Sequence, residues 1–354
     1  MIRLKIFGAG SIGNHLAHAA RCLGWEVVVC DLDSEAIRRM REEIYPARYG
    51  EWDKSIGLHL VQDAPRGEFD IIAIGTPPDS HLPVAIEALQ ESPRAILVEK
   101  PLCPPDLNGV RELVDLAKAN QVSVFTGYDH AVGRAAQAMA RAIQDGQLGD
   151  PQTLDVEFRE HWGGIFAAHP WLSGPSDSYL GFWRRGGGAS GEHSHAVHLW
   201  QFFAHAAGAG RVVEVQATLD YVNDGKVDYD QICLMQLRAE NGLIGRVVQD
   251  VVTQPPRKWA RFQGNLGFAE WHCGNPAGAD VVRVGVGDAL EEEIFEKDRP
   301  DDFIQELQHL EQVLDAGSSA VSALSLERGL EAMEVIAAAH ESQASGLRVP
   351  VGKS

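Results

Sequence analysis

The sequence predicts an α/β fold in two parts: an N-terminal doubly wound parallel sheet, then an α/β domain built on a large, mostly antiparallel sheet. Three observations carry this expectation. Short apolar runs alternate with amphipathic stretches from the N-terminus to about residue 127. A glycine-rich turn joins the first apolar run to the first helical stretch. From about residue 151 the pattern changes to long segments of alternating apolar and polar residues separated by turn residues. Strands alternating with helices build parallel sheets, whereas successive alternating strands pair antiparallel. A chain of 354 residues fits two domains of roughly 150 residues or more each, with expected extents 1–127 and 128–354.

The elements follow in order. IRLKIF at 2–7 is a strand, Ser11 to Leu23 a helix, EVVVC at 26–30 a strand, and a second helix begins near Ser34. LHLV, FDIIAIG, AILVE and VSVF continue the strands, with helices around 79–91 and 106–120. In the second part TLDVEFRE, RVVEVQATLDY, DQICLMQLRAE, GLIGRVVQDVV and RFQGNLGFAEWH have the period-two pattern of long strands. From residue 151 onward, helices are expected only around 195–207, 302–316 and 326–345.

Composition bounds the function. Apolar residues make up 45% and charged residues 23%, an ordinary globular balance. A net charge of −19 repels nucleic acid and anionic membrane surfaces, so neither is an expected partner. Cys22, Cys30, Cys103, Cys233 and Cys273 are widely spaced and odd in number, which suits reduced thiols in the cytoplasm. MIRLKIFGAG lacks the apolar core of a signal peptide, and no run is long enough to span a bilayer.

Gly8-Ala9-Gly10-Ser11-Ile12-Gly13 lies between the first strand and the first helix. There Gly8 permits the tight turn, Gly10 lets backbone approach a pyrophosphate, and Gly13 allows close helix–strand packing. Asp31 ends the second strand in VVVCDLD, where a carboxylate accepts both ribose hydroxyls of NAD and repels a 2′-phosphate. The expected cofactor is NAD; Arg38 and Arg39 leave NADP open.

Five further stretches are TPPDSHLPVAIEAL at 76–89, VEKPLC at 98–103, GYDH at 127–130, GGGASGEHSH at 186–195 and SGLRVPV at 345–351. With the glycine fingerprint, they resemble the Gfo/Idh/MocA oxidoreductases, the family of glucose–fructose oxidoreductase and inositol dehydrogenase. Glu99-Lys100-Pro101 is the most specific match; Asp129 stands where asparagine is usual. The resemblance implies a Rossmann domain followed by an α/β domain whose open antiparallel sheet forms homodimers or homotetramers. It also implies a helix at 326–345 packed back on the Rossmann domain. The implied activity is hydride transfer between a nicotinamide and a secondary hydroxyl of a sugar, sugar derivative or cyclitol. The expected cofactor-contacting set is Gly8, Gly10, Ser11, Ile12, Gly13, Asp31, Leu32, Thr76, Pro77, His81, Glu99, Lys100 and Tyr128, with His81 capping or bracing the helix behind the cofactor.

Such a reaction needs a group to take the hydroxyl proton. Lys100 follows an apolar strand at the carboxyl end of a parallel sheet, where ligands bind; the family bond before Pro101 is cis. His195 falls on the family's catalytic histidine when E-x-S-H is matched, and imidazole titrates in the useful range. The commoner family pattern has an aspartate four residues earlier, where this chain has Gly191; a subgroup has a glutamate three earlier, here Glu192. Glu192 either orients His195 or caps the coming helix. His198 replaces an aspartate usual in the family. His193, His195 and His198 could together bind zinc, but a nicotinamide already carries the hydride, so no metal is expected.

The loop from His161 to Arg185 holds several aromatics and suits a sugar ring, with Trp162 and Trp183 as its stacking surfaces. A hydrophobic minicore or a subunit interface is the alternative. Arg159, Arg184 and Arg185 could fork onto an anionic group, and Tyr128 and His130 point toward nicotinamide or substrate. Expected substrate contacts are thus Lys100, His130, Arg159, Trp162, Trp183, Arg184, His195 and His198. Two alternatives stay open: redox-neutral glycoside cleavage with retained NAD, and a catalytically silent dinucleotide-binding regulator.

Overall fold

Six short apolar segments of the N-terminal half form one parallel sheet in the computed structural model, which describes residues 1–274, 278–317 and 322–352. They are β1 (Arg3–Phe7), β2 (Glu26–Asp31), β3 (Gly57–Leu60), β4 (Ile71–Ile74), β5 (Ala95–Glu99) and β6 (Ser123–Gly127). Their order is β3-β2-β1-β4-β5-β6, so strand order reverses between β1 and β4. The helices α1 (Ser11–Cys22), α2 (Ser34–Arg39), α3 (Tyr45–Tyr49), α4 (Pro78–Ala88) and α5 (Val110–Asn120) connect them. Leu4, Ile6, Ile71, Ile72, Ile96 and Leu97 are all 0% exposed, the continuous apolar burial of parallel strands covered on both faces. Lys5 breaks that run and is nonetheless buried, its Nζ 2.7 Å from Glu91 Oε1.

Contacts divide the chain into two units, the first comprising Met1–Cys103, Asn108–Asp129 and Arg299–Leu326.

The second unit comprises Pro104–Leu107, His130–Asp298 and Glu327–Ser354. Its elements are α6 (Arg134–Gln144), β7 (Pro151–Arg159), α7 (Trp162–Ala167), α8 (Gly188–Glu192), α9 (His195–Ala206), β8 (Val212–Asn223), β9 (Asp228–Ala239), β10 (Ile244–Asp250), β11 (Arg257–Gly264), β12 (Gly267–Cys273), β13 (Asp280–Val286) and β14 (Ala289–Phe295). α10 (Asp301–Ala316) lies in the first unit, while α11 (Leu326–Ser345) and β15 (Val349–Pro350) complete the second. Nine strands form one sheet in the order β14-β13-β12-β11-β7-β10-β9-β8-β15, antiparallel except for the β7–β10 pair. In β9 the burial alternates: Cys233, Met235, Leu237 and Ala239 are buried, whereas Leu234 and the residues after it on the same face are exposed.

Within the first unit, Phe303 of α10 stacks on His15 of α1 with centroids 4.7 Å apart. The helix at 326–345 bonds within the second unit: Ser342 Oγ accepts from Ala217 N–H at 3.0 Å and Gln343 Oε1 from Leu219 N–H at 2.9 Å. Two sequence expectations need correction. RFQGNLGFAEWH forms two strands, because Gly264 and Gly267 turn the chain; a Cβ at Gly264 would meet Leu148 O at 2.0 Å. The short helices α7 and α8 also stand where loop was expected. No helix among the described residues is long and apolar enough to cross a membrane.

Candidate functional site

In the first unit the glycine turn is held by contacts that leave one place open. Gly8 has φ +105° and donates its N–H to Cys30 O at 2.8 Å; a Cβ there would lie 2.7 Å from Gly75 O. A Cβ at Gly13 would lie 2.0 Å from Gly8 O, so helix and turn touch through bare backbone. At Gly10 a Cβ would meet nothing within 4 Å. That clearing beside the N-terminus of α1 fits a dinucleotide pyrophosphate, which binds where backbone N–H groups and the helix dipole converge.

Asp31 ties the end of β2 to this turn. Its Oδ2 accepts from Ala9 N–H at 2.8 Å and its Oδ1 from Asp33 N–H at 2.9 Å. Each carboxylate oxygen has a further lone pair for a ribose hydroxyl. Arg38 is engaged by Glu35, Glu42 and Glu43, which disfavours its use for a 2′-phosphate. Leu32 is 82% exposed. Arg48, missed by sequence reasoning, donates to Ser11 Oγ at 2.9 Å and Ser11 O at 3.1 Å. Ile12 packs against Gly75.

Thr76, just before the Pro77 that caps α4, accepts from Ser80 Oγ at 2.8 Å. His81 is buried, with Nε2 2.7 Å from Thr76 O and Nδ1 2.9 Å from Pro101 O. Burial lowers its pKa, so it braces two loops as a neutral ring whose nitrogens are both taken up by carbonyls. Lys100 is half-buried at the end of β5, and the Lys100–Pro101 bond is cis. Glu99 is 5% exposed; burial first, then the Asp129 charge, push its pKa up to about 8 against the opposing pull of Lys100. Tyr128 is fully buried, a packing position rather than a surface one.

In the second unit the three histidines separate by burial. His193 is 3% and His198 2% exposed, whereas His195 at the start of α9 is half-buried. Among the described residues His193, His195 and His198 do not gather as a three-ligand group. His198, expected at the substrate, is thus buried. The His195 ring lies 4.7 Å from that of His130 and stacks near Phe158 at 6.2 Å; Trp271 lies 5.8 Å from His130. Sequence reasoning missed Phe158 and Trp271, which sit on β7 and β12 and are brought beside one another by strand order. Glu192 closes α8, while Ser194 occupies the N-cap of α9 without a side-chain cap bond.

The glycines before His195 have local causes. A Cβ at Gly188, φ +75°, would lie 2.0 Å from Asp230 Oδ1, and one at Gly191 would lie 2.1 Å from Gly186 O. The aspartate of the commoner family pattern therefore has no room at 191. Asp230 is fully buried and accepts from Ser190 N–H at 2.7 Å and Ser190 Oγ at 3.1 Å. Ser190 Oγ also meets His340 Nε2 at 3.1 Å, and His340 Nδ1 lies 2.6 Å from Tyr221 OH. Burial raises Asp230 to about 7, against the Ser190 bonds, and lowers His340 to about 3, with Arg184 adding to the effect. A neutral His340 between a tyrosine donor and a serine acceptor completes one directional chain.

This chain sets the aromatic loop. Trp183 stacks on His340 with centroids 4.2 Å apart, and the Arg184 guanidinium lies 4.2 Å from the Trp183 ring centre while pairing with Asp228. Trp162 packs with Phe166 and Tyr229 against a small core of Ile165, Leu180, Ala189, Val227 and Val251. The minicore alternative thus describes Trp162, and Trp183 has both His340 and Arg184 on its ring. Arg159 Nε donates to Asp250 Oδ2 at 2.6 Å. Burial works against the Asp250 charge, but the Arg159 and Thr253 bonds outweigh it and hold the carboxyl below its usual range.

No curated protein sequence matches the chain. Solved structures do. An oxidoreductase from Agrobacterium radiobacter, in complex with NAD+, L-tartaric acid and magnesium, is 18% identical with a TM-score of 0.78, covering 99% of this chain and 98% of its own. A myo-inositol dehydrogenase from Corynebacterium glutamicum is 22% identical with a TM-score of 0.74, each chain covered in full at 100%. The WlbA dehydrogenase from Bordetella pertussis, in complex with NADH and UDP-GlcNAcA, is 21% identical with a TM-score of 0.72, covering 100% of this chain and 99% of its own. Residues 2–128 match the family described as an oxidoreductase family with an NAD-binding Rossmann fold, and residues 136–270 match the GFO/IDH/MocA C-terminal domain. The chain therefore belongs to the GFO/IDH/MocA oxidoreductases.

Proposed function

We propose that the protein is an NAD-dependent dehydrogenase that oxidises a secondary hydroxyl of a sugar, sugar derivative or cyclitol, with Lys100 and His195 handling the hydroxyl proton. The observation that carries this reading is the placement of His195. Of the three clustered histidines it alone is only half-buried, and its ring stands edge-on to His130 at 4.7 Å. The solved relatives named as dehydrogenases, one of inositol and one holding a nucleotide sugar, support the substrate class.

Bound NAD supplies the hydride acceptor, a nicotinamide carbon. Gly10 leaves room for its pyrophosphate and Asp31 offers acceptors to its ribose. The Lys100 ammonium holds the substrate oxygen and stabilises the charge that develops as the carbon loses hydride. The His195 imidazole takes the hydroxyl proton. Phe158 lies beside the His195 ring and Trp271 beside that of His130, giving the site an aromatic wall.

A panel of sugars and cyclitols, followed by NADH absorbance, tests the reading. Net NADH should form on at least one, and Lys100→Ala should cut turnover about 100-fold or more. Wild-type turnover in Lys100→Ala would remove the lysine from the reaction. Retained NAD with aglycone release and no net NADH would replace oxidation by redox-neutral cleavage.

A further inference from the structure

The first turn of α1 has the opposite charge from that of most helices. Acids and polar caps commonly stand there, because the unsatisfied N–H groups make that end positive. α1 has no acid in its first turn, and its N-cap, Gly10, brings no side-chain cap bond. An arginine stands there instead. Half-buried Arg48 of α3 donates from Nη2 to Ser11 Oγ at 2.9 Å and from Nη1 to Ser11 O at 3.1 Å. Its Nη1 also lies 3.2 Å from His15 Nε2, and Arg299 Nη1 reaches the same nitrogen at 3.2 Å. A guanidinium only donates, so His15 Nε2 accepts and the ring proton sits on Nδ1, beside Tyr49 OH. Two cations therefore converge on a neutral acceptor at the positive end of a helix. Burial lowers the Arg48 pKa; Tyr49 opposes this, and the Arg299 charge adds to it.

We propose that Arg48 is a positioning residue for the NAD pyrophosphate: it sets Ser11 as a hydrogen-bond donor to a phosphate oxygen and adds a full positive charge to the partial charge of the helix end. The proposal rests on the assignment of the glycine turn to the pyrophosphate. Arg48 fills an acceptor position on Ser11 Oγ, and an anion offers no hydrogen of its own. Ser11 therefore meets the ligand through its hydroxyl hydrogen. Clear space lies beside it, since a Cβ on the preceding Gly10 would meet nothing within 4 Å. Asn14 Nδ2 holds Gly10 O at 2.8 Å, so side chains fix the turn at both Gly10 and Ser11 and little ordering is left for binding. The pyrophosphate then meets the helix dipole, the hydroxyl and the guanidinium charge together. The crowding of Arg48 by Arg299, unfavourable in the protein alone, becomes attraction once an anion lies beside them.

Fluorescence titration of the whole protein with NADH, repeated over a range of salt concentrations, tests this without reference to turnover. Arg48→Met should weaken NADH about tenfold at low salt and flatten the dependence of affinity on salt, which a purely structural role would leave unmoved. Ser11→Ala should cost a similar factor, and the double variant no more than the larger single loss, because both remove one contact. Arg48→Lys keeps the charge but not the fork, so it should recover the salt dependence and only part of the affinity. Wild-type affinity or an unchanged salt dependence in Arg48→Met overturns the proposal, as do losses that multiply in the double variant. Should Arg48→Met fail to fold, Arg48→Lys takes its place in the cycle, and its loss must shrink once Ser11 is replaced by alanine. A wild type that binds NADH as tightly as Arg48→Met does removes Arg48 and leaves the cofactor site standing; a wild type that binds no NADH removes both.

Discussion

His130 and His195 stand edge to face, ring centroids 4.7 Å apart at an interplanar angle of 69°. An imidazole so placed keeps its own plane clear while its neighbour limits its rotation. We expect His195→Gln to lower kcat about 100-fold with little change in NADH affinity, read by steady-state kinetics and fluorescence titration. His198→Gln should instead lower the melting temperature, because His198 is a 2% exposed core residue.

The glycine turn separates binding from folding. Gly10→Ala adds a methyl group that meets nothing within 4 Å, so thermal stability should hold while NADH affinity falls at least about tenfold. Gly13→Ala drives a methyl group to 2.0 Å from Gly8 O, so the protein should lose stability as well. Equal melting temperatures for the two variants would contradict this division.

Asp230 predicts a pH dependence of stability. Its folded-state pKa, raised to about 7 by burial, exceeds the unfolded value of 3.8, so the folded protein binds the extra proton. Stability from this residue is therefore full below pH 3.8 and declines as the pH rises toward about 7. The drop is roughly 4 kcal/mol at about 1.4 kcal/mol per pKa unit. Asp230→Asn should flatten that part of a denaturation-against-pH curve; an unchanged slope would show that Asp230 stays ionised in the fold.

The nine-stranded sheet leaves one face uncovered, lined by Thr153, Asp155, Gln236, Arg238, Ile244 and Arg246. Ile244 is 50% and Leu234 43% exposed there. If this face joins copies of the chain, Ile244→Asp should shift the mass seen by light scattering toward the monomer. A monomeric wild type would refute the expected homo-oligomer.

Much of the fold was legible because periodicity survives folding. The continuous apolar run IIAI at Ile71–Ile74 and the alternation in Asp228–Ala239 each declare their sheet type. The helix Arg134–Gln144 was silent because its buried face is mostly alanine, a weak apolar signal. The site was legible where one residue type has one use, as with Gly8 and Asp31. It was illegible where meaning comes from distant partners, as Trp183 takes its place from His340. Nor does the sequence separate His193 and His198, which are buried, from the half-buried His195 between them.

The parallel seam between β7 and β10 also bears on how the second unit assembles. On one side β11 to β14 pair in chain order, and on the other β8 to β10 do the same. β7 belongs to neither, and its Asp155 pairs with Arg246 of β10, 91 residues away in the chain. Chain-closure entropy makes such a pairing slow compared with local hairpins. The two runs should therefore form first and β7 should lock them together. Truncating Leu154 or Val156, both fully buried on that strand, should then slow refolding more than an equal truncation in β13.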